Sequence, residues 1–143
     1  MQDLHGYYLE DLEVGMSASY AKTISESDVY MFAGVSGDNN PVHINEEYAQ
    51  TTPFKKRIVH GMFSAALIST VAGTRLPGPG AIYVDQQIKF RRPVYIGDTA
   101  TATLTVTEID QRRGRVKAQT DVHVGDTVVA TGSATFMVDK RDA

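Results

Sequence analysis

Residues 61–72, GMFSAALISTVA, carry no charge at all, and two serines and one threonine supply their only side-chain polarity. A helix that is apolar all round is a buried helix, so the rest of the chain has to enclose this one. By length the run could also be a strand. Gly61 at its start and GTRLPGPG at its end nonetheless bracket roughly three helical turns. What encloses it is legible downstream. AIYVDQQIKF, TATATLTVTEI, RVKAQTDVHV and TVVATGSATFMV are rich in Val, Ile, Thr and Tyr and alternate in places with period two. Turn signals separate them at Pro93, Gly97-Asp98, Arg113-Gly114 and Gly125-Asp126. Long strands joined by short turns imply an antiparallel sheet, whose apolar face the charge-free helix would cover. The expected fold class is therefore α+β: a single domain over residues 1–143, with a curved antiparallel sheet wrapped around a long apolar central helix.

The first half of the chain supplies the remaining elements. Residues 16–24, MSASYAKTI, read as a strand. Ser25 followed by Asp28 is an acidic variant of the capping box. Val29, Phe32, Ala33 and Ser36 then fall on one face of a helix closed by Gly37. Residues 46–50 allow another short helical piece. With 42% hydrophobic and 22% charged residues the composition is that of an ordinary globular protein. No apolar run approaches the roughly 18 residues of a membrane span. A net charge of −3 argues against nucleic acid as the main partner. The opening MQDLHGYYLEDLEVG is acidic and interrupted by Gly, unlike a secretory or transit peptide. The absence of cysteine fits a reducing compartment, so cytoplasmic residence is the expectation.

The chemistry-bearing residues gather between these elements. GDNNPVH, residues 37–43, places His43 five residues after Asp38 in a loop that follows a helix. A histidine near its reference pKa of about 6.5 exchanges protons at neutral pH, and a nearby carboxylate can orient it or share a water with it. Asn40 adds a neutral amide, and Pro41 stiffens the segment. The same residue types also make ordinary turns, so from them alone both readings stand. Gly61 would sit at the apolar helix's N-terminus, where a free N–H can stabilise a carbonyl oxygen gaining charge or a glycine can simply permit tight packing. His60 reads as a structural, hydrogen-bonded histidine. Asp38, His43 and His60 could in principle ligate zinc, but no HExxH, paired-His or Cys pattern accompanies them, and no metal is expected. Three basic clusters are either solvated surface or a phosphate-recognition site, with nothing in the sequence to choose among them: Lys55-Lys56-Arg57, Arg91-Arg92, and Arg112-Arg113 with Arg115.

GDNNPVHINEEYAQTTPFKKRIVHGM resembles the signature of the MaoC-like (R)-specific enoyl-CoA hydratases, with its aspartate, Asn-Pro, histidine and downstream V-H-G-M. The likeness continues through LPGPGAIYVDQQIKFRRPVYIGD and so spans nearly the whole chain. It implies a hot-dog fold, a homodimer joined sheet edge to sheet edge, and an acyl-CoA thioester as substrate. It also implies a hydro-lyase that adds water reversibly to a trans-2-enoyl-CoA, giving an (R)-3-hydroxyacyl-CoA without metal or redox cofactor. Carried over residue by residue, Asp38 and His43 become the catalytic pair and Gly61 the N–H donor to the thioester carbonyl. Asn40 holds the loop or the water, and Ser69 lies near the pair. Ala72 and Phe136 are expected to line the acyl pocket. Family members serve polyhydroxyalkanoate supply or lipid breakdown. The rival readings are a 3-hydroxyacyl-carrier-protein dehydratase of fatty-acid synthesis and a non-catalytic acyl-CoA-binding protein.

Overall fold

In the computed structural model, which describes residues 4–142, the first regular element after a short 3₁₀ turn at Leu9–Asp11 is strand β1, Ser17–Thr23. Helix α1, Glu26–Ser36, begins where the sequence signals it. Asp28 N–H donates to Ser25 Oγ at 3.1 Å, and Ser25 N–H donates to Asp28 Oδ2 at 2.9 Å. These reciprocal bonds satisfy two otherwise orphaned donors. The helix ends on Gly37, whose φ of +79° is the left-handed conformation that favours glycine. Two short helices follow, α2 at Pro41–Ile44 and α3 at Glu46–Gln50. Helix α4 runs from Gly61 to Thr74, two residues beyond the expected end. Four strands complete the chain: β2 at Ile82–Phe90, β3 at Thr99–Asp110, β4 at Arg115–Val124 and β5 at Thr127–Met137.

All five strands form one antiparallel sheet in the order β1-β3-β4-β5-β2. The hairpins β3–β4 and β4–β5 follow from the short turns between those strands. The position of β2 does not. It pairs with β5 at the far edge, and residues 91–98 then carry the chain back to β3. Burial alternates cleanly along β3 and β4. Ala102, Leu104 and Val106 of β3 and Val116 and Val122 of β4 point inward, each at most 1% exposed. Against them pack Leu67, Ile68 and Val71 of α4. Each such side chain contributes roughly 1.5–3 kcal/mol by leaving water. The sheet curled around one apolar helix is the hot-dog architecture. The domain expected over 1–143 runs at its ends into residues 1–3 and 143, which lie outside the described residues.

Two features differ from the sequence-based picture. Helix α4 is not buried all round. It lies mainly on β3, with β1 and β4 beside it, and leaves Met62, Ala66, Ser69 and Gly73 exposed along one stripe. Strand β2 is exposed over most of its length, Ile82 at 59% and Phe90 at 52%. The physical reason is common to both. The helix packs on β3, β1 and β4 rather than along β2, which among the described residues is left exposed at the edge of the sheet.

Candidate active site

Asp38 leaves the end of α1 directly after Gly37, its N–H donating to Ser36 Oγ at 3.1 Å. Asn40 then acts as the N-cap of α2. Its Oδ1 accepts from Val42 N–H at 3.0 Å, its own N–H donates to Asp38 Oδ1 at 3.3 Å, and its carbonyl accepts from His43 N–H at 3.0 Å. Of the two roles expected for Asn40, loop-holding is the one these bonds describe. His43, on the last turn of α2, is 7% exposed, whereas Asp38 stands at the surface of the single chain.

The imidazole of His43 is oriented from behind. Its Nδ1 lies 2.7 Å from the Ile58 carbonyl. A carbonyl can only accept, so Nδ1 carries the proton and Nε2 presents a lone pair. Burial lowers the pKa of His43 below its ordinary value. The Ile58 bond opposes that shift, the neighbouring His60 ring adds to it, and the Asp38 carboxylate opposes it. The net direction favours the neutral ring at neutral pH.

His60 is 2% exposed and stacks on His43, with ring centroids 3.8 Å apart and planes inclined by 27°. Its Nε2–H donates to the backbone carbonyl of Asp38 at 2.8 Å, and Phe32 packs on its ring at 4.8 Å. The expected hydrogen bond is therefore present, and it is made to the loop that carries Asp38. Nδ1 of His60 is buried without a partner among the described residues.

A carboxylate oxygen of Asp38 and one ring nitrogen each of His43 and His60 lie within 4.8 Å of one another. By composition this trio could hold a metal. The geometry serves water better. Ring lone pairs lie in the ring plane, and two nearly parallel planes 3.8 Å apart do not converge on one ion at the roughly 2.0–2.1 Å of a Zn–N bond. One water bonded to two groups, by contrast, spans about 4.7 Å between them.

Gly61 opens α4 beside this pair. Its N–H is one of the unpaired donors of a helix N-terminus. A methyl group at Gly61 would lie 3.0–3.3 Å from the ring of Phe90, so the ring is seated directly on the glycine. Both residues line a cavity of about 250 Å³ together with His60, Ser64, Val59 and Val94. The fold thus brings Asp38, Asn40 and His43 together, none of them lining the cavity, and sets Gly61, which does line it, next to His60. It places Ser69 two turns further along α4 on the exposed stripe, and it buries Ala72 and Phe136 in the core, Phe136 packed on Tyr83 at 4.6 Å. None of those three lines the cavity within this chain.

Several participants had little or no signature in the sequence. The Ile58 carbonyl is backbone and carries none. Ser64, 3% exposed, sits three residues after Gly61, a helical spacing that could have placed it at the same cavity. Phe90 and Arg91 reach the cavity only because β2 lies at the far edge of the sheet.

The family model described as MaoC like domain matches residues 11–131. A protein of Rhodospirillum rubrum named (R)-specific enoyl-CoA hydratase is 60% identical over 139 residues, covering 97% of this chain and 96% of its own. Among solved structures, R-hydratase PhaJ1 from Pseudomonas aeruginosa in the unliganded form superposes with a TM-score of 0.88 at 45% identity, covering 94% of this chain and 86% of that one. The (R)-hydratase from A. caviae involved in PHA biosynthesis gives a TM-score of 0.88 at 37% identity, with 90% and 98% covered.

Proposed function

The chain belongs to the MaoC-like domain family, and from that premise we propose that it is an (R)-specific enoyl-CoA hydratase, a hydro-lyase that adds water to trans-2-enoyl-CoA to give (R)-3-hydroxyacyl-CoA. The observation that carries this reading is that a carboxylate oxygen of Asp38 and a ring nitrogen of His43 lie within 4.8 Å of each other, close to His60 and so to Gly61 at the start of α4. A water held there donates one hydrogen bond to His43 Nε2. Its oxygen attacks C3 as Nε2 takes the proton, and the C2–C3 π electrons move toward the thioester carbonyl. Gly61 N–H stabilises the charge on that oxygen, an effect typically worth a few kcal/mol per donor. The protonated carboxyl of Asp38 then delivers a proton to C2. Return of the proton from His43 to Asp38 through solvent resets the pair. The reaction needs neither metal nor redox cofactor.

The acting species in this reading is a homodimer. The exposed edge strand β2, the exposed stripe of α4 and the surface position of Asp38 all support it, because a second copy laid against β2 would bury apolar area and dry the acid–base pair. Ser69 belongs to that stripe, so any role beside the pair depends on the second copy. No helix among the described residues is long and apolar enough to cross a membrane. Cytoplasmic residence and supply of (R)-3-hydroxyacyl-CoA to polyhydroxyalkanoate synthesis complete the assignment. The cysteine-free sequence supports the first and the likeness to the A. caviae protein the second.

The test is hydration of crotonyl-CoA, followed by loss of enoyl absorbance and chiral analysis of the product. Wild type is expected to form (R)-3-hydroxybutyryl-CoA, with activity reduced at least about 10³-fold in both Asp38→Asn and His43→Ala. Folded wild type that leaves crotonyl-CoA and longer enoyl-CoA esters untouched would sink the assignment. Turnover of carrier-protein-linked substrates alone would replace it with the dehydratase reading.

A further inference from the structure

The fold separates the three basic clusters of the sequence. Arg57 is consumed by structure: it bonds Glu26 and Glu46 at 3.0 and 3.1 Å and the Tyr30 hydroxyl at 3.0 Å. The cluster at the β3–β4 turn is remote from the cavity, and Arg113 there faces Asp110 at 4.0 Å. Arg91 and Arg92 differ from both. They follow β2 immediately, both are exposed, and neither has a carboxylate within 4.0 Å among the described residues. Their backbone N–H groups donate to the Val129 carbonyl at 2.8 and 3.2 Å, which fixes where the pair leaves the sheet.

Both arginines line the cavity that opens on His60 and Gly61, the floor and the proposed carbonyl donor of the reaction centre. Arg91 continues into a second depression of about 220 Å³, shared with Gln87, Lys89, Gln119, Thr131 and Ser133. These residues occupy alternate positions on β2, β4 and β5, opposite in phase to the buried Ala118, Ala130 and Ala134, so the depression lies on the outer face of the sheet. Asp121 is the acidic group at its edge, where it accepts hydrogen bonds from Gln119 and Thr131. Arg91 therefore joins the mostly apolar cavity beside His60 and Gly61 to a polar, net cationic surface.

We propose that Arg91 and Arg92, with Lys89, form the phosphate-binding rim of the thioester carrier: the pantetheine arm occupies the cavity and the phosphates of the nucleotide end rest on these three cations. The proposal rests on the hydratase reading and deepens it. A nucleotide-bearing thioester presents several phosphate oxygens at the end of a flexible arm, and the planar guanidinium fork matches them. A protein-linked arm has no nucleotide to place there.

The experiment compares kcat/KM for crotonyl-CoA and for crotonyl-pantetheine, which shares the arm but lacks the nucleotide. With about a tenfold contribution from each arginine, wild type is expected to favour the CoA ester by about 100-fold or more. In the Arg91→Gln/Arg92→Gln variant that preference falls below about tenfold. In an Arg112→Gln/Arg113→Gln control it stays at the wild-type value. A double variant that keeps the wild-type preference overturns the proposal. Calorimetric titration with coenzyme A itself gives an answer independent of turnover. Affinity at least tenfold weaker in the double variant supports the rim, and equal affinity overturns it. Failure of both esters to react, with coenzyme A still bound through these arginines, would instead overturn the hydratase reading alone.

Discussion

His43 and His60 present two stacked imidazoles with different work. The first exposes a lone pair toward the Asp38 side, and the second ties down the Asp38 backbone and floors the first ring. Replacing His60 by Gln keeps a donor for the Asp38 carbonyl but removes the stacked ring. We expect kcat to fall by about 10²-fold, the scale of a misplacement near 1 Å, with a smaller change in KM. The His60 ring also helps hold the His43 pKa down. The acid limb of the kcat/KM profile should therefore move to higher pH in His60→Gln, as both the charge and the cover of the stacked ring are lost. Stability follows the same sign. His43 is disfavoured as a cation in the fold, so its contribution is fully present above the ordinary value of 6.5 and is lost as pH falls through the lowered folded value. Urea unfolding at pH 7.5 and pH 5.5 should show wild type losing more stability on acidification than His43→Gln. Equal losses would remove His43 as a source of the pH dependence.

At the scale of elements, β2 is the piece on which both the cavity wall and the arginine pair depend. It is an edge strand, held by β5 alone. Opposite Ile88, Gly132 allows the two backbones to approach so closely that a methyl group there would collide with the Gln87 carbonyl oxygen. Gly132→Ala should therefore pry β2 from β5 and destabilise the protein by about 1–3 kcal/mol, measured by chemical denaturation. Because Phe90 and Arg91 move with the strand, KM for crotonyl-CoA should rise in the same variant. Unchanged stability and KM would mean that β2 can shift at no cost and does not set the wall. Helix α1 illustrates the opposite case. Its capping box and its glycine terminator are local, and residues 25–37 specify both of its ends without reference to the rest of the fold.

For the whole molecule, the exposed edge strand β2 makes association the condition of function in the proposed reading. Ile82, at 59% exposure, lies on β2, the edge strand against which a second copy would be laid. Ile82→Lys is expected to yield a monomer in sedimentation equilibrium at micromolar concentration, where the proposed reading expects wild type to sediment as a dimer. Its specific activity should rise with protein concentration as dimer re-forms. A wild type that is monomeric and fully active would remove the dimer from the mechanism.

The sequence by itself determined the elements and their kind, because charge-free runs, period-two alternation, caps and turn residues act over a few neighbouring positions. It also determined that Asp38, Asn40 and His43 lie close together, since a capped loop of six residues holds them whatever surrounds it. Tertiary structure decided the rest. It seated β2 beyond β5, set His60 beneath His43, turned the Ile58 carbonyl onto Nδ1, left Ser69 on an open stripe and brought one basic cluster of three to the cavity. Each of these depends on where a chain segment many residues away comes to lie, and no local pattern records that.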